Sequence, residues 1–194
     1  MTVSRNTAMG TKLVFLDRDG VINEYPGDKN YVTGIDFFHI LPRSKSALEK
    51  LTAAGFRIYV VSNQAGVSKG LYSRETLDQI DAKMARELGE KVKFSGILYC
   101  THRPEESCAC RKPKTGLLDK VFAGLAETGE VIDRENSYFI GDSLIDVQTG
   151  RAAGLKTILV FSGKEKSGNQ LNWAYKPDHI ADDLAGAVEI IRSL

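Results

Sequence analysis

Short apolar runs alternate along the chain with segments in which apolar positions return every three or four residues. The runs LVFL (13–16), FRIYVVS (56–62), GILYC (96–100), SYFIG (137–141) and KTILVF (156–161) are rich in β-branched or aromatic residues and predict buried strands. Helical period predicts a helix from Ser44 to Ala54, stopped by Gly55. A second runs from Ser73 to Leu88, with Leu77, Ile80, Met84 and Leu88 on one face. A third covers about Thr115 to Leu125 through Leu117, Leu118, Val121 and Phe122, and LAGAVEIIRSL closes the chain as a fourth. A late strand is expected to end at His179. Strand and helix in strict alternation predict an α/β fold, a Rossmann-like doubly wound parallel sheet with helices on both faces and right-handed crossovers. With no repeat, low-complexity tract or linker, the expected organisation is a tail over 1–11 and a single domain over 12–194.

Composition narrows the partners. The 194 residues carry 26 Lys plus Arg against 25 Asp plus Glu, so no sequence-wide field draws in nucleic acid or an anionic membrane. No apolar run approaches a membrane span, and MTVSRNTAMGTK lacks a secretory signal. The expectation is a cytoplasmic monomer acting on a small molecule. An odd number of cysteines in a reducing compartment makes metal binding a better account of them than disulfides.

In a parallel sheet, ligands sit at the carboxyl ends of strands, near the point where strand order reverses. The first strand runs into DRDG, which places Asp17 and Asp19 at that edge before Gly20 permits a sharp turn. The fourth ends in GDSLID, adding Asp142 and Asp146. Each run alone is also an ordinary turn. Converging carboxylates, however, cannot all stay ionised without a cation, and the hard oxygen set points to Mg²⁺, which in turn suggests phosphate. The second strand ends in VSNQAG, where the Ser62 hydroxyl and following amides can face an oxyanion. Lys112 adds a point charge suited to a phosphoryl oxygen, and Arg111 a fork that can grip a second anionic or hydroxyl group.

In order, FLDRDG, VVSNQ, the Lys of CRKP and IGDSLID resemble the four motifs of the haloacid-dehalogenase-like phosphatases. The resemblance implies that Asp17 attacks phosphorus to give an aspartyl-phosphate, and that Asp19, protonated at the start, acts as acid and then base. It implies Mg²⁺ on Asp17, Asp142 and the main-chain carbonyl of Asp19, and the phosphoryl group on Ser62 and Lys112. Asp146 would orient Lys112 or a metal-bound water, or simply start a helix. The short gaps at 21–55 and 65–111 leave no room for a separate cap domain, so the site should be open and its loops should select the substrate.

Cys100, His102, Cys108 and Cys110 form two i, i+2 pairs whose side chains point the same way in extended chain. A five-residue spacer can fold the pairs together into a closed S₃N set, which suits a structural Zn²⁺ in a loop over 100–110. Free buried thiols or a redox pair are the alternatives. This loop narrows the resemblance to the heptose-1,7-bisphosphate 7-phosphatases and the histidinol-phosphate phosphatases. Asn23, Tyr31 with Val32, and SNQAGVSKG look more like the former. By that resemblance Asn23, Tyr31, Ser62, Asn63, Gln64, Arg111, Lys112 and Ser143 bind substrate. The heptose pattern often has Lys where this chain has Ser143, a contact that Lys69 could supply. The resemblance therefore implies a Mg²⁺-dependent phosphatase that removes the 7-phosphate of a heptose 1,7-bisphosphate, with a histidinol-phosphate phosphatase or a broad sugar-phosphate phosphatase as the rival enzyme and a catalytically idle phosphate-binding or zinc-stabilised module as the non-enzyme alternative.

Overall fold

The structure, a computed structural model, describes residues 10–194. Of the expected tail, residues 1–9 lie outside the described residues, and Thr11 forms a bridge with Ile132. Six parallel strands, β1 (Leu13–Leu16), β2 (Arg57–Asn63), β3 (Phe94–Cys100), β4 (Tyr138–Gly141), β5 (Lys156–Val160) and β6 (His179–Ala181), form one sheet in the order β3-β2-β1-β4-β5-β6. The helices are α1 (Ser44–Ala53), α2 (Arg74–Leu88), α3 (Gly116–Glu127), α4 (Leu144–Ala152) and α5 (Leu184–Ser193). His179 therefore opens the last strand instead of ending it; β6 is a short edge strand that alternation in the sequence barely marks.

β1 is buried along its whole length, and its side chains divide by the two-residue period of a strand. Val14 and Leu16 join the core built with α1, α2 and α5, while Leu13 and Phe15 join the core under α3. β2 and β4 divide in the same way, with Val60 and Ile140 on one face and Tyr59 and Phe139 on the other. A sheet covered on both faces exposes its function only along an edge. Strand order reverses direction between β1 and β4, and the crevice beyond their carboxyl ends is where side chains from both can meet. Among the described residues, neither of the connections 17–43 and 64–93 holds a second domain over that edge. None of their helices is long and apolar enough to cross a membrane.

Candidate active site

Asp17 leaves β1 still bonded to the sheet, its N–H donating to the Ile140 carbonyl at 3.0 Å. Gly20 then adopts φ +83°, a left-handed conformation, and its N–H closes the turn onto the Asn23 carbonyl at 2.7 Å. A Cβ on Gly20 would strike the Asp142 carboxylate, and so would one on Gly163. These two glycines let the backbone press against Asp142, whose Oδ2 accepts the Lys164 N–H at 2.8 Å. Burial, reinforced by Asp146 and Asp17, holds the Asp142 carboxyl well above the usual range.

Lys112 reaches into this crevice from the end of the cysteine segment. Its backbone is clamped by Asn63, which donates Nδ2–H to the Lys112 carbonyl at 3.1 Å and accepts the Lys112 N–H at 3.0 Å. The ammonium lies 2.9 Å from Asp17 Oδ2 and 2.6 Å from Asp146 Oδ1, with the residue only 4% exposed. Burial opposes the charge on Lys112, but Asp146 and Asp17 outweigh it and hold the ammonium above its ordinary range. Asp146 also sits at the third position of α4, where its Oδ2 accepts the N–H and hydroxyl of Ser143 at 3.2 and 2.6 Å. It thus starts the helix and orients Lys112 at once, which unites two roles the sequence left as alternatives. Burial pushes the Asp17 carboxyl up to about 6, with Lys112 opposing the rise and Asp146 adding to it.

The Asp19 carboxyl is held by a different set of partners. Its carboxyl accepts from Arg18 Nε and Nη2 at 3.0 and 3.2 Å, from Asn23 Nδ2 at 2.9 Å and from Gln64 Nε2 at 2.9 Å. Asn23 and Gln64, expected among the substrate contacts, are buried behind Asp19, and their side chains do not line the pocket. Polar residues beside a motif read as contacts in a sequence; here their amides go to a neighbouring carboxyl. Sequence reasoning passed over Arg18 entirely, since an arginine between two motif aspartates reads as a solvated charge.

The pocket of about 230 Å³ gathers Asp17, Asp19, Ser62, Asn63, Lys112, Asp142, Ser143 and Asp146, with Tyr25, Tyr31, Arg111, Ile145 and Lys164 at its rim. A larger hollow of about 430 Å³ at the end of α2 gathers no such set of carboxylates. Arg111 is steadied by the His102 carbonyl at 3.3 Å. Lys69 donates to the Tyr31 hydroxyl at 2.9 Å and so reaches the rim through Tyr31. His39 lies outside the pocket, and Trp173 is spent locally on Glu165 at 2.9 Å.

Asp17, Asp142 and Asp146 each offer an oxygen within 4.8 Å of the others. Lys112 alone cannot balance all three carboxylates in their ionised form in a buried crevice, an imbalance that fits a divalent, oxygen-seeking cation. The Asp19 side chain, turned to Arg18, stands apart from this set.

The second cluster is of another kind. Cys100 ends β3 fully buried, and Cys108 and Cys110 pack against it. Cys100 Sγ lies 3.5 and 3.3 Å from Cys108 Sγ and Cys110 Sγ, and His102 Nδ1 lies 3.7 and 3.2 Å from Cys100 Sγ and Cys110 Sγ. All three cysteines are free. These separations approach the edges of a tetrahedron, about 3.8 Å for thiolates ~2.3 Å from a central ion. The donor set fits a soft or borderline metal.

A family model described as HAD-hydrolase-like matches residues 109–187. The D-glycero-D-manno-heptose-1,7-bisphosphate 7-phosphatase of Chlorobaculum tepidum is 37% identical over 185 residues, covering 91% of this chain and 92% of that one. The D-glycero-beta-D-manno-heptose-1,7-bisphosphate 7-phosphatase of Pasteurella multocida is 36% identical over 194 residues, covering 94% and 98%. Among solved structures, the D,D-heptose 1,7-bisphosphate phosphatase of B. bronchiseptica, complexed with magnesium and phosphate, superposes with a TM-score of 0.83 at 31% identity, covering 94% and 99%. The chain belongs to the haloacid-dehalogenase-like hydrolases, in the family of the heptose-1,7-bisphosphate 7-phosphatases.

Proposed function

We propose that the chain is a Mg²⁺-dependent phosphomonoesterase that removes the 7-phosphate of a D-glycero-D-manno-heptose 1,7-bisphosphate and leaves the 1-phosphate in place. The observation that carries this reading is the meeting of Asp17, Lys112, Asp142 and Asp146 in one crevice at the reversal of strand order. The near end-to-end match to relatives named for that substrate supports it.

Asp17 is the nucleophile. Its oxygen bonds to phosphorus while the bond from phosphorus to the sugar oxygen breaks, and that oxygen leaves with the electron pair and takes a proton from Asp19. A water then bonds to phosphorus, gives a proton to Asp19, and the bond to Asp17 breaks. Lys112, pinned by Asp146, holds the transferring phosphoryl group with Ser62 and offsets the charge on Asp17. Asp17, Asp142 and the Asp19 main-chain carbonyl would hold Mg²⁺, which when bound screens the phosphoryl oxygens and makes them approachable by a carboxylate. Arg111, Tyr31 and Lys164 at the rim meet the sugar and its second phosphate. Cys100, His102, Cys108 and Cys110 would hold Zn²⁺, which when bound would order a loop too polar to own a core and steady Arg111 beside the pocket. We take the working unit to be a cytoplasmic monomer of one domain. The test compares kcat/KM for the heptose bisphosphate and for histidinol phosphate with Mg²⁺ present. The bisphosphate should be preferred by at least about tenfold, and a preference for histidinol phosphate would overturn the assignment.

A further inference from the structure

Arg18 heads the largest side chains that the fold buries completely, at 0% exposure, and the steps above make no use of it. Its main-chain N–H donates to Asp17 Oδ1 at 2.7 Å, while its guanidinium forks onto both oxygens of Asp19 at 3.0 and 3.2 Å. One residue therefore grips the two motif carboxyls, one through backbone and one through side chain. The guanidinium lies over the Tyr99 ring at 5.5 Å, and the Tyr99 hydroxyl is tied to Asp81 Oδ1 at 2.5 Å, so α2 and β3 brace it from behind. Gln64 adds a second support, with its amide oriented by the Tyr72 hydroxyl on its Oε1 at 2.6 Å. Arg18 Nη1 is buried without a partner. An apolar side chain of that size would fill the space without burying a charge or leaving a donor unmade, so packing does not account for an arginine here.

We propose that Arg18 is the positioning residue of Asp19, fixing where the acid/base carboxyl stands relative to the nucleophile. The inference rests on the phosphatase reading above. It makes a distinction that a general structural role does not. A sugar oxygen needs the Asp19 proton to leave, whereas a nitrophenolate departs with its electron pair and no proton. Misplacing Asp19 therefore slows the first step for the sugar ester far more than for the aryl ester.

The experiment measures first-turnover release of the sugar monophosphate from heptose 1,7-bisphosphate and of nitrophenol from p-nitrophenyl phosphate, both with Mg²⁺. In Arg18→Lys, which keeps a cation but loses the fork, the ratio of sugar to aryl rate should fall about 10²-fold, and Asp19→Asn should discriminate in the same sense. Tyr99→Leu, which removes the ring under the guanidinium and leaves Arg18 in place, should lower the ratio several-fold and carries the test if Arg18→Lys does not fold. An unchanged ratio, whether both rates drop together or neither does, overturns the proposal. A wild-type protein that releases neither product defeats the phosphatase reading itself and the inference with it.

Discussion

The carboxylate pocket and the cysteine loop are both built to gather charge around an ion, yet they are assembled in opposite ways. The loop takes all four donors from residues 100–110, so its geometry is a local matter of chain spacing. It is fastened to the rest by a few bonds, among them Arg103 Nε and Nη2 to the Ser68 carbonyl at 3.0 and 2.6 Å and Lys114 Nζ to the Cys108 carbonyl at 2.9 Å. The pocket takes its groups from the ends of β1, β2 and β4, which the sheet register brings together, and from Lys112, which Asn63 clamps into place. Its members are also coupled: Lys112 answers to Asp17 and Asp146 alike, and Asp146 answers to Ser143. Damage to the pocket should therefore strike chemistry, whereas damage to the loop should strike order at its exit.

The largest effect sharpens that contrast. Asp17→Asn keeps the volume but removes the nucleophile, and steady-state kinetics should show kcat reduced by about 10⁴-fold or more with an unchanged circular dichroism spectrum. Next, Lys112→Met removes the charge that lets a carboxylate approach a phosphoryl group, and kcat should drop about 10²–10³-fold. Cys108→Ser in the loop should instead raise KM several-fold and speed proteolysis within 100–112, with kcat changed by less than about threefold. A loss of kcat as large as that of Lys112→Met would erase the distinction between the two regions.

The smallest effect is on pH. Asp17 is raised from 3.8 to about 6 chiefly by burial, so between those values the metal-free folded protein binds more protons than the unfolded chain, and its stability falls as pH rises. Calorimetry of metal-free protein should show the wild-type melting temperature declining over that window relative to that of Asp17→Asn. Mg²⁺ must displace that proton and the one that burial holds on Asp142, so its affinity by titration calorimetry should rise with pH. The reverse trend in either measurement would contradict the burial of Asp17.

How much of this was legible in the sequence follows the same division. The loop could be read from spacing alone, because i, i+2 pairs fix direction before any tertiary contact forms. The sheet could be read from its buried runs, with β6 the exception: His179–Ala181 is short and half exposed, and its pairing with β5 is what makes it a strand. The pocket was legible as far as strand ends and the run after the cysteines reveal it, which covered Asp17, Ser62, Lys112, Asp142 and Asp146. What lay behind was not. Arg18, Asn23 and Gln64 are polar residues whose partner is another motif residue, and nothing in residue type separates a group that meets substrate from one that holds its neighbour. The glycines that crowd Asp142 belong to the same class, since Gly163 serves a residue more than twenty positions away.

The central claim is that Asp17 carries the phosphoryl group in transit. Asp19→Asn protein, slowed in hydrolysis of the intermediate, can be mixed with p-nitrophenyl phosphate and Mg²⁺, quenched in acid and mapped by peptide mass spectrometry. The account predicts a phosphoryl adduct on Asp17 that is absent when Mg²⁺ is chelated. Nitrophenol released at full burst with no adduct, or an adduct on any other residue, would contradict it.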